Sequence, residues 1–477
     1  MKIKENFIKH KYVLGFVFLI ICFSLFMTLL FNKESDYFWH VKAGEVMFNN
    51  GKVLCEDVFS WFREGEYWMS HEWGFDYLIY AMKHLFGDVH LFLYSFVCTL
   101  GLLFILFFSN KKSYIKNIIF SLFWLICFLI FCVYIQARPH LISFLFVALT
   151  IWFCYDLFKN EYSKKIYFLP LITVFWANFH GGSSNLSYLF CFVFLIVGLF
   201  KFKFSKLEAM RINKNQALKY LGVSVLCMLA ICINPHGIRM LIYPYFNITD
   251  TIMISFISEW QPTVLSSSNH YPYFLLIIVI MFILLLSKEK IKLIDFILFG
   301  ISVFLGLKSV RFWAYTYIIM SYVVFNYIPS RKIDRGTTRI LFMLGSVFLA
   351  IFISNYDMLA KEYRTTYISA EMIDTIKSEN PQRLYNMYDY GGELIYNDIK
   401  VFVDGRADLY SRYNLKDYAD ISKLANGSIG LMDKYDFDYF LVDRNYPINI
   451  YLEYNSDKYE LLKIDENTLF YKKKDSI

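Results

Sequence analysis

Charge is what this sequence has least of. Only 19% of its 477 residues are Asp, Glu, Lys or Arg, where a soluble domain carries about a quarter. With 57% hydrophobic and 20% aromatic residues, that deficit excludes a disordered chain and an ordinary cytosolic enzyme. Metal-spaced cysteines are missing too: there is no CxxC and no His/Cys cluster of zinc spacing. Eight of the nine cysteines (Cys22, Cys98, Cys127, Cys132, Cys154, Cys191, Cys227 and Cys232) lie in apolar runs, and only Cys55 lies in a polar stretch. That placement excludes a disulfide scaffold and makes them small core residues. Internal repeats and low-complexity tracts are absent as well.

What the chain has is long apolar runs of about twenty residues, enough to cross a bilayer core of about 30 Å as helix. The first, Tyr12–Phe31, follows Lys2, Lys4, Lys9 and Lys11 and has no small-residue cleavage site, so it reads as a retained helix rather than a signal peptide. Further spans are expected at Val89–Asn110, Asn117–Gln136, Pro139–Phe158, Ile166–Phe179, Asn185–Phe202, Ala217–Ile233, Tyr271–Ser287, Ile291–Leu307, Val310–Ile328 and Thr338–Ser354. The expected fold is therefore a polytopic all-α membrane bundle of about eleven helices.

Basic residues sort onto alternate connections: Lys111, Lys112, Lys116; Lys159, Lys164, Lys165; Lys201 to Lys219; Lys288, Lys290, Lys292; and Arg331, Lys332, Arg335, Arg339. Lysine and arginine near span ends mark the cytoplasmic side. A multi-pass plasma-membrane protein is expected, with its N-terminus inside and its C-terminus outside. The net charge of +7 is thus explained by topology and implies no nucleic-acid partner. A membrane domain 1–354 is expected, with a long first outer loop at 32–88, followed by a small extracytoplasmic α/β domain at 355–477. In that tail Ser369–Ser378 reads as helix, and Arg383–Tyr388, Val401–Val403 and Tyr439–Val442 read as strands. Tyr390–Gly392 reads as a turn, and Glu460–Ile464 with Thr468–Tyr471 as a hairpin.

The same orientation places the unusual polar residues outside. Asp36 lies just past the first span, wet enough to ionise and close enough to apolar surface to have its pKa adjusted. The plain alternative is a solvated loop acid. His40 follows at helical spacing, and Ser70-His71-Glu72-Trp73 opens a segment whose aromatic spacing suits an interfacial helix. His40 and His71 read equally as interfacial packing. Other polar clusters recur at outer span ends: Arg138 with His140, Asn178 with His180, Asn234 with His236, Glu259 with Gln261, and Lys308 with Arg311. Singly, each has a dull explanation as a snorkelling side chain or a turn. Together they would line an anion-friendly cleft, because ionisable groups at membrane depth usually face an internal cavity. A phosphate on a lipid is the natural tenant. Asp36, Glu72 and the histidines offer donors for a divalent cation, but none has HExxH spacing, and no metal site is assigned. In the tail, Asp404 and Arg406 read either as a self-paired structural turn or as a turn that leans over the cleft and helps choose the acceptor.

The stretches Asp36-Tyr-Phe-Trp-His40-Val-Lys-Ala-Gly44-Glu, Ser70-His-Glu-Trp73, Arg138-Pro-His140, Trp176-Ala-Asn-Phe-His-Gly-Gly182, Asn234-Pro-His-Gly237 and Glu259-Trp-Gln-Pro262 resemble the GT-C superfamily of integral membrane glycosyltransferases. Tyr388-Asp-Tyr-Gly-Gly392 and Val403-Asp-Gly-Arg-Ala-Asp-Leu-Tyr410 in the tail extend the resemblance over nearly the whole chain, toward an uncharacterised prokaryotic branch. The resemblance implies a polyprenyl-phosphate-linked sugar donor and transfer to an extracytoplasmic glycan, glycolipid or protein, with inversion. It also implies a first-loop acid as base, and Asp36 is the matching position. The paired-acid form of that motif is absent, with Glu34 nearby. By this reading the substrate-binding residues are His40, His71, Glu72, Arg138, His140, Asn178, His180, His236, Glu259, Gln261, Lys308, Arg311, Asp404 and Arg406. Two other readings compete. A polysaccharide ligase or polymerase would rely on Arg and His rather than a loop acid. A lipid-linked oligosaccharide flippase would spread its polar groups through the depth of the bundle.

Overall fold

The structure is a computed structural model that describes residues 2–30, 35–111, 114, 117–132, 136–329, 335–355 and 366–474. It is mostly helical and divides into two compact units. A helical unit takes residues 1–32, 88–244 and 259–363, and a mixed unit takes 33–87, 245–258 and 364–477. Packing thus groups the first loop with the C-terminal residues. A boundary drawn at residue 354 from composition alone does not express this.

Each expected span contains a helix in the helical unit. Among the described residues, however, only six helices are long and apolar enough to cross a membrane: His10–Thr28, Trp73–Ser109, His140–Lys159, Gly181–Gly198, Ser268–Leu286 and Gly336–Ser354. Ile118–Leu129 and Lys165–Phe179 are apolar but shorter. Backbone pairing explains other shortfalls against the expected eleven. Ile291–Lys292 is a strand before the helix Leu293–Lys308, and the expected span from Val310 breaks into a 3-10 turn, the helix Trp313–Val323 and a second 3-10 turn.

Glycines set the close approach of the first and last helices of this unit. A Cβ at Gly345 would lie 2.7 Å from the Phe18 ring, and one at Gly15 would lie 3.3 Å from Leu341. Trp313–Val323 is buried on every side, as expected of a helix apolar all round. Its polar atoms are bonded: Trp124 Nε1 donates to Ser321 Oγ at 2.8 Å, and Tyr322 donates to the Ala148 carbonyl at 2.8 Å.

The basic connections gather at one end of this unit. Strands β1 (Phe202–Phe204), β2 (Leu207–Ala209) and β3 (Ile291–Lys292) form a small sheet there, β1–β2 antiparallel and β2–β3 parallel. Phe202 is therefore strand rather than the end of a span, since its helix stops at Gly198. Lys219 donates to the Glu161 carbonyl at 2.6 Å and Lys206 to the Leu285 carbonyl at 2.6 Å, which ties a third connection to the same end. Arg138 precedes the opposite end of the helix His140–Lys159.

The mixed unit is built on a four-stranded sheet in the order β4–β5–β7–β6: β4 Leu384–Asn386, β5 Tyr439–Asp443, β6 Tyr459–Asp465 and β7 Thr468–Lys473. The β6–β7 hairpin is the expected one, lengthened by a residue or two, and β4 runs parallel to β5. The helix Ala370–Glu379 begins where Ser369 accepts the Met372 N–H, and ends at Asn380 in the left-handed region. Two expectations need correction. Val401–Val403 is not a ladder strand but a single bridge from Val401 to Ser60. Gly391–Gly392 opens the short helix Gly391–Tyr396 instead of forming a turn. These glycines serve close backbone approach: a Cβ at Gly391 would lie 2.5 Å from the Val403 carbonyl oxygen, and one at Gly392 would lie 2.8 Å from that of Ser35.

Candidate functional site

The expected site residues divide between the two units. In the mixed unit, Asp36 is the residue before the helix Tyr37–Asn50, and its carbonyl accepts the His40 N–H at 3.2 Å. Its side chain is half-buried and makes no capping bond to that helix. The carboxylate lies against Gly405, where an added Cβ would overlap Asp36 Oδ1 and stand 2.8 Å from Trp39 Nε1. Gly405, in the middle of the turn Asp404-Gly405-Arg406, is thus the backbone that Asp36 lies against. Glu34 lies outside the described residues.

From His40 a chain of acids and imidazoles leads outward. His40 Nδ1 lies 2.5 Å from Asp76 Oδ1, and its Nε2 lies 4.0 Å from Glu72. Glu72 lies 3.4 Å from His71 Nε2, and His71 Nδ1 lies 3.8 Å from Asp408. Burial opposes charge on His40, but Asp76, Glu72 and Asp36 outweigh it and raise its pKa. His71 meets the same opposition, and Glu72 and Asp408 with the Met69 carbonyl push it up to about 9. His40 also stacks on Trp39, with ring centroids 3.6 Å apart. Among the described residues the buried Trp39 Nε1, Trp68 Nε1, Ser70 Oγ and Asp76 Oδ2 have no hydrogen-bond partner. A buried donor or acceptor left without a partner costs on the order of 1–3 kcal/mol.

Arg406 is spent on the fold. It grips Asp404 in bidentate fashion (Nε to Oδ1 2.8 Å, Nη2 to Oδ2 2.6 Å) and reaches Asp57 Oδ1 at 2.6 Å. Tyr410 closes the network on Asp404 Oδ2 at 2.5 Å. Burial would raise the Asp57 carboxyl, but Arg406 and Ser60 outweigh it and hold it below its usual range. A buried pair of this kind costs about 3–5 kcal/mol to break by removing one partner. The self-paired turn foreseen for Arg406 is what the structure shows, with Asp57 added and Asp408 turned instead to His71.

In the helical unit, Arg138 Nη1 pairs with Glu259 Oε1 at 3.0 Å. His180 Nδ1 meets Ser143 Oγ at 2.6 Å and Ser183 Oγ at 3.0 Å, and its Nε2 lies 3.5 Å from Arg311 Nη2. With Arg311 as the donor, Nε2 accepts and the proton sits on Nδ1, which gives a neutral imidazole. Arg311 also stands 5.2 Å from the Trp260 ring, and among the described residues no carboxylate pairs with it. Bonds to backbone carbonyls hold the two motifs together: Val310 N–H donates to the Gln261 carbonyl at 3.2 Å, and the Ser309 hydroxyl donates to the Glu259 carbonyl at 2.9 Å. Gln261 thus contributes its backbone, and Lys308 is exposed at a helix end. Asn178 fastens helix ends through the Val174 and Ile233 carbonyls at 2.7 and 2.9 Å. His140 is buried beside Phe144, and His236 is buried in the turn that Asn234 caps.

Sequence reasoning passed over Asp76, Asp57, Ser143 and Ser183 as site members, and offered Asp408 only as a partner for Arg406. Only Asp76 left a signal, at helical spacing from Glu72. Asp295, buried and accepting from Tyr155 at 2.5 Å and Tyr327 at 2.6 Å, was also missed, because nothing local marks it.

No family model matches this chain, and no curated protein does. Among solved structures it is similar to the crystal structure of the Archaeoglobus fulgidus oligosaccharyltransferase in the apo form, with 11% identity over 89% of this chain and 69% of that one and a TM-score of 0.44. That likeness is too distant to carry an argument about activity. Among the described residues, no group of three or more His, Cys, Asp and Glu is placed to hold a metal ion.

Proposed function

We propose that the chain is a membrane glycosyltransferase that moves a sugar from a polyprenyl-phosphate carrier to a hydroxyl acceptor on the extracytoplasmic side, with Asp36 as general base. The observation that carries this is the Asp36 carboxylate, half-buried, released from capping its own helix and held against Gly405, near enough to His40 to raise its pKa. Asp36 takes the acceptor's O–H proton while that oxygen bonds to the anomeric carbon. The bond from that carbon to the phosphate oxygen breaks, and its electron pair leaves with the phosphate. Attack opposite the leaving group inverts the anomeric centre. A positioned base contributes about 10²–10⁴-fold.

For a carrier phosphate the helical unit offers Arg311, whose guanidinium pairs with no carboxylate among the described residues, unlike that of Arg138. A planar fork of donors suits phosphate oxygens, and the charge that develops on the leaving group is where such a cation stabilises most.

The test uses the full chain in lipid nanodiscs with polyprenyl-phosphate hexoses labelled in the sugar, scoring transfer to hydroxyl acceptors and to water. Wild type transfers label, and Asp36→Asn is slower by about 10²-fold or more. Full activity in Asp36→Asn removes the base. Arg311→Gln raises the KM for the donor more than that for the acceptor, and the reverse order refutes its phosphate role.

A further inference from the structure

A carboxylate at the residue preceding a helix normally accepts a backbone N–H from the helix's first turn. Asp36 forgoes that bond and turns to Gly405, so its position is set by something other than its own helix. Two groups converge on the same point. One is the Gly405 backbone, which meets the carboxylate only because no side chain intervenes. The other is the indole nitrogen of Trp39, one turn along the Asp36 helix, 2.8 Å from the place where a Gly405 Cβ would stand. Trp39 is 4% exposed, and its N–H has no acceptor among the described residues. Its ring cannot swing away, because His40 stacks on one side and Trp68 packs edge-on with centroids 6.1 Å apart. His40 is itself pinned by Asp76. An unspent donor is thus locked beside the Asp36 carboxylate.

We infer that Trp39 and Gly405 form the seat of the Asp36 carboxylate, Gly405 by admitting it against bare backbone and Trp39 by donating its indole N–H to one carboxylate oxygen as the other takes the acceptor's proton. This rests on Asp36 being the base. Trp39 is then a positioning residue: its indole nitrogen and Asp36 Oδ1 both lie within 2.8 Å of the one point where a Gly405 Cβ would stand. Hydrogen bonds of catalytic groups are commonly long before substrate binds and tighten in the reacting complex. The titratable groups beside the seat are His40, on the Asp36 helix, and Asp404 and Arg406, which flank Gly405 and pair with each other, Arg406 reaching Asp57 as well.

Two measurements on the full chain test this. The first needs no substrate. Gly405→Ala drives a methyl group into the Asp36 carboxylate, so it lowers the thermal unfolding midpoint in the wild type and lowers it markedly less in an Asp36→Ala background. Equal losses in the two backgrounds overturn the seat. The second uses labelled polyprenyl-phosphate hexose. Trp39→Phe keeps a ring over His40 and deletes only the N–H. The expected result is a kcat lower by about tenfold or more, an unchanged donor KM, and an acidic limb of the pH–rate profile displaced to higher pH. That displacement follows because a carboxylate that has lost a donor holds its proton more tightly. A wild-type kcat and an unmoved limb overturn the role of Trp39. Full activity of Asp36→Asn overturns the base itself, and is told apart because the unfolding coupling between Asp36 and Gly405 persists.

Discussion

His71 has no apolar reason to be where it is. Glu72 and Asp408 flank it, the Met69 carbonyl accepts from it, and together they raise its pKa to about 9 against an unfolded value near 6.5. A group whose folded pKa is raised contributes stability that is fully present below the unfolded pKa and is lost as pH climbs through the folded one. The mixed unit should therefore be steadiest below about pH 6.5 and weaken up to about pH 9, by at most about 3 kcal/mol. His40, also raised, works in the same direction. Unfolding by denaturant across pH 6–9, read on a Trp probe of the mixed unit, measures this. His71→Asn should flatten the slope, and an unchanged slope would mean that the pair with Glu72 adds nothing.

Between the helices Tyr37–Asn50 and Trp73–Phe86, Gly44 sets the spacing. A Cβ there would overlap the Asp76 carbonyl oxygen and stand 2.7 Å from Tyr80 Cβ. Propensity alone says that alanine in a helix stabilises by about 1 kcal/mol over glycine. The contact is with backbone, which cannot step aside, and overpacking of this kind costs about 1–3 kcal/mol. Gly44→Ala should thus destabilise, and because Asp76 rides on the displaced turn it should also loosen the pair with His40. A lower denaturation midpoint with a lowered His40 pKa by NMR is the expected result. At this scale the sequence was readable where signals are local. The Ser369 cap, the β6–β7 hairpin and the strand at Tyr439 all follow from neighbouring residues. Val401 and Gly391 misled because their roles depend on partners far away in the chain, Ser60 for one and Val403 with Asp404 for the other. The pairs His40–Asp76 and Asp57–Arg406 are hidden for the same reason, being 36 and 349 residues apart.

For the molecule as a whole, each expected apolar run of the helical unit does hold a helix, but its usable length was not legible, since strand pairing and 3-10 turns cut several short, and the helix Arg239–Asn247 lay in none of the runs. The charge pattern survived better. Connections expected on one side of the membrane from lysine content alone, around Lys159, Lys206 and Lys290, meet at one end of the unit, through the β2–β3 pairing and the bonds of Lys206 and Lys219. If basic residues mark the cytoplasm, the residues after 366 lie outside, where the proposed chemistry needs a lipid carrier rather than a nucleotide sugar. Cysteine labelling decides this cleanly, because every native cysteine among the described residues is buried or only partly exposed. Tyr454 is 89% exposed in the mixed unit, and the Lys203 side chain is 68% exposed at the basic end. In intact cells a membrane-impermeant maleimide should label Tyr454→Cys and leave Lys203→Cys unlabelled until the membrane is permeabilised. The opposite pattern would turn the protein over, put Asp36 on the side where nucleotide sugars are made, and remove the reason for a lipid-borne donor.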